Sequence, residues 1–348
     1  LLDRGSFPRW KICGATLSPG AQQLLDEVEL GDLLPSLGAT PLHTLRLGGW
    51  TTRADLALNG SVAISRNALD HALIDAARKE GTEFRSGFRV RLGALEEDHR
   101  VLELSSEEGK QLVSARVVVA ADGLNSGLLA QAGVPAPTPA SARRRMVGLG
   151  GVFRESGPGF EPGWIHMAVG EGGYVGMVRV EDGSLNVAAA LSSDAMRTAD
   201  SPGFLVNSLI QAGGWPGLPE SPVEGWKGTP ELTRRPARPG AERLFAVGDA
   251  AGYVEPFTGE GMLWALSAAR AVAPWVARSV DDWNPGLLNS WASVHGRSVG
   301  RAQRLCRATA WALARPLLSQ ALLRVLRSHP RLAGPVVRRV GAPTTTPA

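Results

Sequence analysis

A chain of 348 residues that is 44% hydrophobic and 20% charged is long enough for two lobes sharing a large core, which excludes disorder as its default state. Its two cysteines, Cys13 and Cys306, lie almost a chain length apart, which excludes a disulfide framework and a cysteine metal site and fits a reducing cytoplasm. The formal net charge of +4 is uneven: Trp283–Ala348 holds ten Arg and no Asp, Glu or Lys, so all 33 acidic residues share 1–282 with 27 basic ones.

Leu1-Leu2 reads as the end of a buried strand and Asp3 as the acid at its tip. The first residues lack the basic, apolar and small-residue zones of a signal peptide. No apolar run approaches the roughly 18 residues of a membrane span. Ser18-Pro19 is a helix start, Ala21, Leu24, Leu25 and Val28 form its apolar face, and Gly31 ends it. Residues 35–60 are Gly-rich and show no usable period. After a short strand at Val62–Ile64, Ser65 caps a helix with the stripe Ala68, Leu69, Ala72, Leu73, Ala76 and Ala77, stopped by Gly81. Strands are predicted near 83–95, 101–104 and 112–120. The last contains Val117-Val-Val-Ala-Ala121, a run suited to a strand covered on both faces, and it delivers Asp122-Gly123 to its carboxyl end.

From 145 to 232 the pattern turns to loosely alternating, Gly-punctuated segments such as Tyr174–Val180 and Leu185–Leu191, joined by a hairpin turn at Glu181-Asp-Gly183. An antiparallel second lobe is expected there. A strand at 243–247 and a helix at 260–278 return to the α/β pattern, and the tail reads as helices. The predicted division is 1–142, 143–235, 236–282 and 283–348.

The most informative string is Leu244-Phe-Ala-Val-Gly-Asp249 with Thr258-Gly-Glu-Gly261 downstream. A strand ending in Gly-Asp and turning toward a helix sets a carboxylate and free backbone N–H groups at the sheet's carboxyl edge, where α/β folds bind ligands. Asp249 there accepts hydroxyl protons from a polyol. Gly252, Gly259 and Gly261 let backbone approach a flat ring, and the helix start adds partial positive charge.

Leu244–Met262 resembles the second FAD motif of the flavoprotein superfamily that contains aromatic hydroxylases, geranylgeranyl reductases and flavin-dependent halogenases. The resemblance implies an FAD-binding, mostly parallel Rossmann-like sheet interrupted by an antiparallel substrate lobe and followed by a helical tail. It also implies FAD contacts at Gly248, Asp249, Pro256, Gly259, Glu260, Gly261 and Met262. Asp3, with Arg4 beside it, matches the superfamily's ribose-binding acid. Asp122-Gly123 matches its Asp-Gly motif, Arg66 opens a helix that supplies a polar cofactor contact, and Val90 stands where backbone faces adenine. No Gly-x-Gly-x-x-Gly lies upstream of Asp3. The expectation is therefore of a sequence that begins after the phosphate-binding βα unit.

Phe7–Pro19, with Cys13-Gly14 at its centre, is similar to the geranylgeranyl reductase branch, in which a Cys-Gly pair lies near the flavin. Cys13 is thus a candidate catalytic residue as well as a cofactor contact, against the plainer reading of a small buried hydrophobe. Gly252 stands where many aromatic hydroxylases carry His. Against the branch, Tyr174-Val-Gly-Met-Val-Arg179 stands in place of its Tyr-x-Trp-x-Phe-Pro string. The Trp-x-Trp-x-x-Pro string of halogenases is absent. The expected activity is reduction of a carbon–carbon double bond in a small apolar substrate, with NAD(P)H docking transiently to reduce the flavin. Alternatives are oxygen-dependent hydroxylation and a non-catalytic flavin-binding or membrane-associated role.

His43, His71, His99, His166, His295 and His329 show no metal-ligand spacing. His166, on a substrate-lobe strand, is a candidate acid or base, though a lone strand histidine is more often structural. Trp164, Trp215 and Trp226 fit a substrate pocket or core packing equally. The tail lacks the aromatic interleaving of a nucleic-acid binder. Its stripe of Leu317, Leu318, Ala321, Leu322, Val325 and Leu326 beside Arg315, Arg324, Arg327 and Arg331 fits a helix packed on the body, and also a peripheral membrane helix.

Overall fold

The structure is a computed structural model and describes residues 1–50, 52–135, 145–155, 157–219, 221–223, 225–234, 236–255, 257–313 and 315–335. In chain order, Leu2 makes a parallel bridge to Arg85. Then follow β1 (Thr16–Leu17), α1 (Pro19–Asp26), α2 (Leu33–Ser36), β2 (Thr40–Gly49), β3 (Thr52–Ala63) and α3 (Arg66–Lys79). Helix α1 starts on Pro19 as its sequence requires and buries Ala21, Leu24 and Leu25. Helix α3 starts where the Ser65 hydroxyl accepts the Ala68 N–H at 3.2 Å.

Strands β4 (Arg89–Leu95), β5 (Arg100–Ser106) and β6 (Gly109–Ala115) form an antiparallel sheet, followed by β7 (Val118–Ala120) and α4 (Gly127–Gln131). The next segment carries β8 (Met146–Phe153), β9 (Trp164–Gly170), β10 (Gly173–Arg179), β11 (Leu185–Ser192), α5 (Ser193–Thr198), α6 (Pro202–Ala212) and β12 (Lys227–Glu231). Strands β10 and β11 pair from Gly173↔Leu191 to Arg179↔Leu185, with Glu181-Asp-Gly183 in the turn and Gly183 at φ +79°. The chain then returns through β13 (Gly240–Ala241) and β14 (Leu244–Ala246) to α7 (Gly261–Asp281), α8 (Gly286–Ser298), α9 (Gly300–Leu313) and α10 (Pro316–Ser328).

The fold is α/β, as the sequence implies, but its largest sheet reaches beyond 143–235. Eight strands run in the order β1-β3-β2-β9-β10-β11-β8-β12, so three come from residues 16–63. Within 143–235 every pairing is antiparallel, as expected, and the one parallel pairing of the sheet joins β9 to β2 from the first part of the chain. The long β2–β3 hairpin replaces the aperiodic segment expected at 35–60. Its glycines are there for close packing: a Cβ on Gly48 would lie 2.6 Å from the Gly213 carbonyl oxygen and 2.7 Å from the Trp215 ring.

Strand alternation gives this sheet two different faces. On β2 and β9, Leu45, Leu47, Ile165 and Met167 line a large cavity. Beyond the opposite face, Leu149, Phe153, Val206, Leu209, Ile210 and Trp215 form a separate buried cluster with α6. Below the cavity, β14 runs parallel to β7, with Leu244, Phe245 and Ala246 opposite Val118, Val119 and Ala120. The carboxyl ends of the two strands therefore emerge side by side.

Candidate functional site

That pairing sets Asp122-Gly123 and Gly248-Asp249 at one edge, and the Val247 N–H donates to the Ala120 carbonyl at 3.0 Å to hold them level. Gly248 and Gly252 adopt φ +55° and +134° in the turn that follows β14, a region closed to most side chains. The chain then reaches Gly259 at φ +77°, where a Cβ would lie 2.8 Å from the Thr16 Oγ1, and enters α7 at Gly261, which faces open space. Gly259, Glu260, Gly261 and Met262 all line the cavity, so the first turn of α7 presents its unpaired N–H groups there.

The cavity measures about 2620 Å³, several times the roughly 300–1,000 Å³ of an ordinary small-molecule pocket. It collects Asp3, Arg4, Cys13, Gly14, Arg66, Val90, Asp122, Gly123, Gly248 and Asp249 together with Gly259–Met262. Of the residues singled out in the sequence, Pro256 alone lies outside the described residues.

Individual geometries differ in how open they leave each group. Asp3 accepts the Gly5 N–H at 2.7 Å on one oxygen and pairs with Arg9 at 2.8 Å on the other, leaving a lone pair on each. Asp122 caps α4 through the Leu128 N–H at 3.0 Å. Val90 sits on the edge strand β4. There the Phe88 N–H bonds to Asp3 at 3.0 Å and the Leu92 N–H to Gln131 at 2.9 Å. By alternation the Val90 N–H and C=O point along that same edge, toward the cavity it lines.

The polar centre of the cavity joins Arg66, Asp70, Asp249, Lys11 and Cys13. Arg66 forks onto Asp70 with two bonds of 2.6 Å. Burial opposes the Arg66 charge, but the Asp70 fork and the nearby Cys13 and Asp249 outweigh it, and its pKa is raised. Burial raises the Asp249 pKa, held back by Lys11 and Arg66, and burial with the adjacent Arg66 lowers that of Lys11. The Cys13 Sγ accepts the Ala15 N–H at 3.2 Å, and burial raises its pKa so that it stays a thiol at neutral pH.

Lys11, Asp70, Tyr174 and Tyr253 line this cavity and are not among the site residues expected from the sequence. The last two are the chain's only tyrosines, and both line the cavity. Burial, then the Glu255 carboxylate, lifts the Tyr174 hydroxyl well above its usual pKa of 10; burial and then Asp249 do the same for Tyr253. Tyr253 is anchored by reciprocal 2.8 Å backbone bonds with Arg234. The tail supports this region too, since the Cys306 Sγ on α9 donates to the Glu255 carbonyl at 3.2 Å.

His166 and the tryptophans belong elsewhere. His166 lies on the side of β9 opposite Ile165 and Met167, accepts the Trp215 indole N–H at 3.0 Å, and is held by burial at a pKa of about 4. Trp226 packs edge-on to Phe153, and neither it, Trp164 nor Trp215 lines the cavity. No metal-binding group of His, Cys, Asp or Glu exists among the described residues.

Whether the cavity suits a flavin dinucleotide is decided by its orphaned acceptor. The half-buried Asp249 carboxylate lines the cavity and accepts no side-chain or backbone hydrogen bond among the described residues, which leaves its oxygens open to the hydroxyls of a polyol. Arg66, Lys11 and the α7 N-terminus supply positive potential, and Gly261, which lines the cavity and faces open space, puts no side chain in the way of a flat ring. The residues fit FAD. A family model described as an FAD binding domain matches residues 14–294. The chain belongs to this FAD binding domain family. Its cofactor is FAD.

Among curated relatives it is 25% identical over 295 residues to the Conditioned medium factor receptor 1 of Dictyostelium discoideum, covering 78% of this chain and 56% of that protein. It is 24% identical over a 357-residue alignment to the Menaquinone reductase of Mycolicibacterium smegmatis, covering 97% of this chain and 81% of that one. The chain thus spans little more than half the length of the first of these. In fold it is similar to the flavin-dependent brominase Bmp2, with a TM-score of 0.80 at 13% identity over 98% of this chain and 86% of that structure. No helix among the described residues is long and apolar enough to cross a membrane.

Proposed function

We propose that this family member reduces a carbon–carbon double bond in an apolar, prenyl-type substrate, in the manner of a geranylgeranyl reductase, with NAD(P)H as the transient source of electrons. The observation that carries the reading is the continuity of the polar cofactor trough with an apolar chamber. One cavity runs from Asp249 and Arg66 to Ile165, Met167, Leu322 and Leu326. A relative named as a menaquinone reductase, matched over nearly the whole chain, supports a lipid-like substrate.

FAD, when bound, supplies the redox chemistry. Asp249 would accept its polyol hydroxyls, Arg66 and Lys11 would offset its negative charge, Asp3 and the Val90 backbone would serve its adenosine end, and the first turn of α7 would favour its electron-rich form. The chain's own part in the reaction is to exclude water and provide a proton. Cys13, Tyr174 and Tyr253 all line the cavity and all hold their protons at neutral pH, so each is a candidate for the proton that saturation of the double bond requires beside the hydride. The test is product analysis under isotopically labelled O₂ with NADPH and a short-chain prenylated quinone. A product that is still a quinone, heavier by two hydrogens and free of labelled oxygen, supports the reductase; a quinol with its side chain intact, or oxygen incorporation, overturns the proposal.

A further inference from the structure

Helix α10 carries two apolar faces. Leu323 and Leu326 are buried in the core where α10 packs on β2 and β3. Leu317, Leu318 and Val325 stand 83%, 45% and 47% exposed, on one arc about 100° wide. Leu332, in the turn after the helix, is 62% exposed. Single exposed leucines are ordinary, but a group of four on adjoining elements is a patch.

Two further observations say what covers it. Arg324 and Arg327 flank the arc on one side, Arg331 adjoins Leu332, and among the described residues no carboxylate pairs with any of the three. Trp283–Ala348 offers none, having no acidic residue. Val325, Arg331 and Leu332 also line the cavity, so the patch forms the rim of its mouth on the side walled by α9 and α10.

We propose that this face seats on an anionic lipid bilayer and that the substrate enters the chamber directly from it. Arginines at the flank suit phosphate headgroups, and leucines at the centre suit the boundary with the acyl chains. A mouth that opens within the patch spares an apolar substrate the passage through water. The route, though not the docking, rests on the apolar-substrate reading above.

Flotation of the FAD-loaded protein with phosphatidylcholine vesicles, with and without phosphatidylglycerol, tests the docking. The wild type should float with the anionic vesicles at low salt, and R324E/R327E and L317E/L318E should each lose at least about tenfold in apparent affinity while keeping their flavin absorbance and thermal midpoint. Equal binding to neutral vesicles, or unchanged binding by both variants, overturns the inference. So does a wild-type dimer that L317E/L318E dissociates, which would assign the face to a second copy of the chain. Parallel turnover of a water-soluble short-chain substrate separates the two claims: turnover without flotation leaves the function standing and removes the membrane, and flotation without turnover does the reverse.

Discussion

The Ser18 hydroxyl donates a 2.8 Å hydrogen bond to the buried carboxylate of Glu260, tying the residue that starts α1 to the one that starts α7. Burial lifts the Glu260 pKa from 4.5 to about 7, against the pull of that bond. The folded chain then holds a proton that the unfolded chain sheds above pH 4.5, so this group costs nothing below pH 4.5, erodes stability as pH rises to 7, and costs a constant amount beyond. Flavin-free Glu260→Gln should exceed the wild type by about 1–3 kcal/mol at pH 8 and match it at pH 4. Parallel melting-temperature profiles for the two proteins would contradict this.

Asp249 is the acceptor that the protein leaves unsatisfied. Asp249→Ala should weaken FAD binding by about tenfold to a hundredfold, the usual worth of hydrogen bonds to a charged group. A titration followed by flavin fluorescence reads this directly, and unchanged affinity would remove Asp249 from the cofactor site.

What the sequence shows of this site follows from how local each signal is. The Gly-Asp turn after β14, the Ser65 cap of α3 and the Glu181-Asp-Gly183 hairpin are fixed by neighbours within a few residues, and all three stand as expected. The β2–β3 hairpin is not local in this sense. Its β2 strand is completed by β9 from a distant part of the chain, and Gly48 is dictated by Trp215 rather than by its own strand. Lys11, Tyr174 and Tyr253 come from three separate segments and meet only once the sheet is assembled over the turn. The tail stripe is likewise divided by packing, with Leu322 and Leu326 inside and Leu317, Leu318 and Val325 outside.

Arg66 and Asp70 have side chains only 19% and 17% exposed, and their fork places the guanidinium beside Asp249 and Cys13. Arg66→Ala leaves Asp70 unpaired and should cost about 1–3 kcal/mol of stability together with most of the bound flavin. Arg66→Lys keeps the charge but loses the fork, and should retain intermediate flavin content. Equal flavin in all three proteins, read from the ratio of flavin to protein absorbance, would argue against a cofactor role.

Gly259 should tolerate no side chain. Gly259→Ala forces a positive φ on a chiral residue and drives its Cβ into Thr16, with an expected cost of about 1–3 kcal/mol. Adding Thr16→Ala should recover only the steric part. Full recovery in the thermal midpoint of the double variant would show that backbone conformation at 259 contributes nothing.

Cys13 and Tyr174 are separated by their substitutions. Cys13→Ser and Tyr174→Phe should both keep the flavin spectrum, and whichever supplies the proton should lower kcat about a hundredfold or more. Full turnover in both would leave Tyr253 as the donor that lines the cavity.

The reductase reading is tested most directly by anaerobic stopped-flow mixing of the reduced, FAD-loaded protein with a short-chain prenylated quinone. The account expects the oxidised flavin absorbance to return at a rate that rises with substrate, with a saturated carbon–carbon bond in the product. Flavin that stays reduced until oxygen is admitted, and only then yields product, would contradict it.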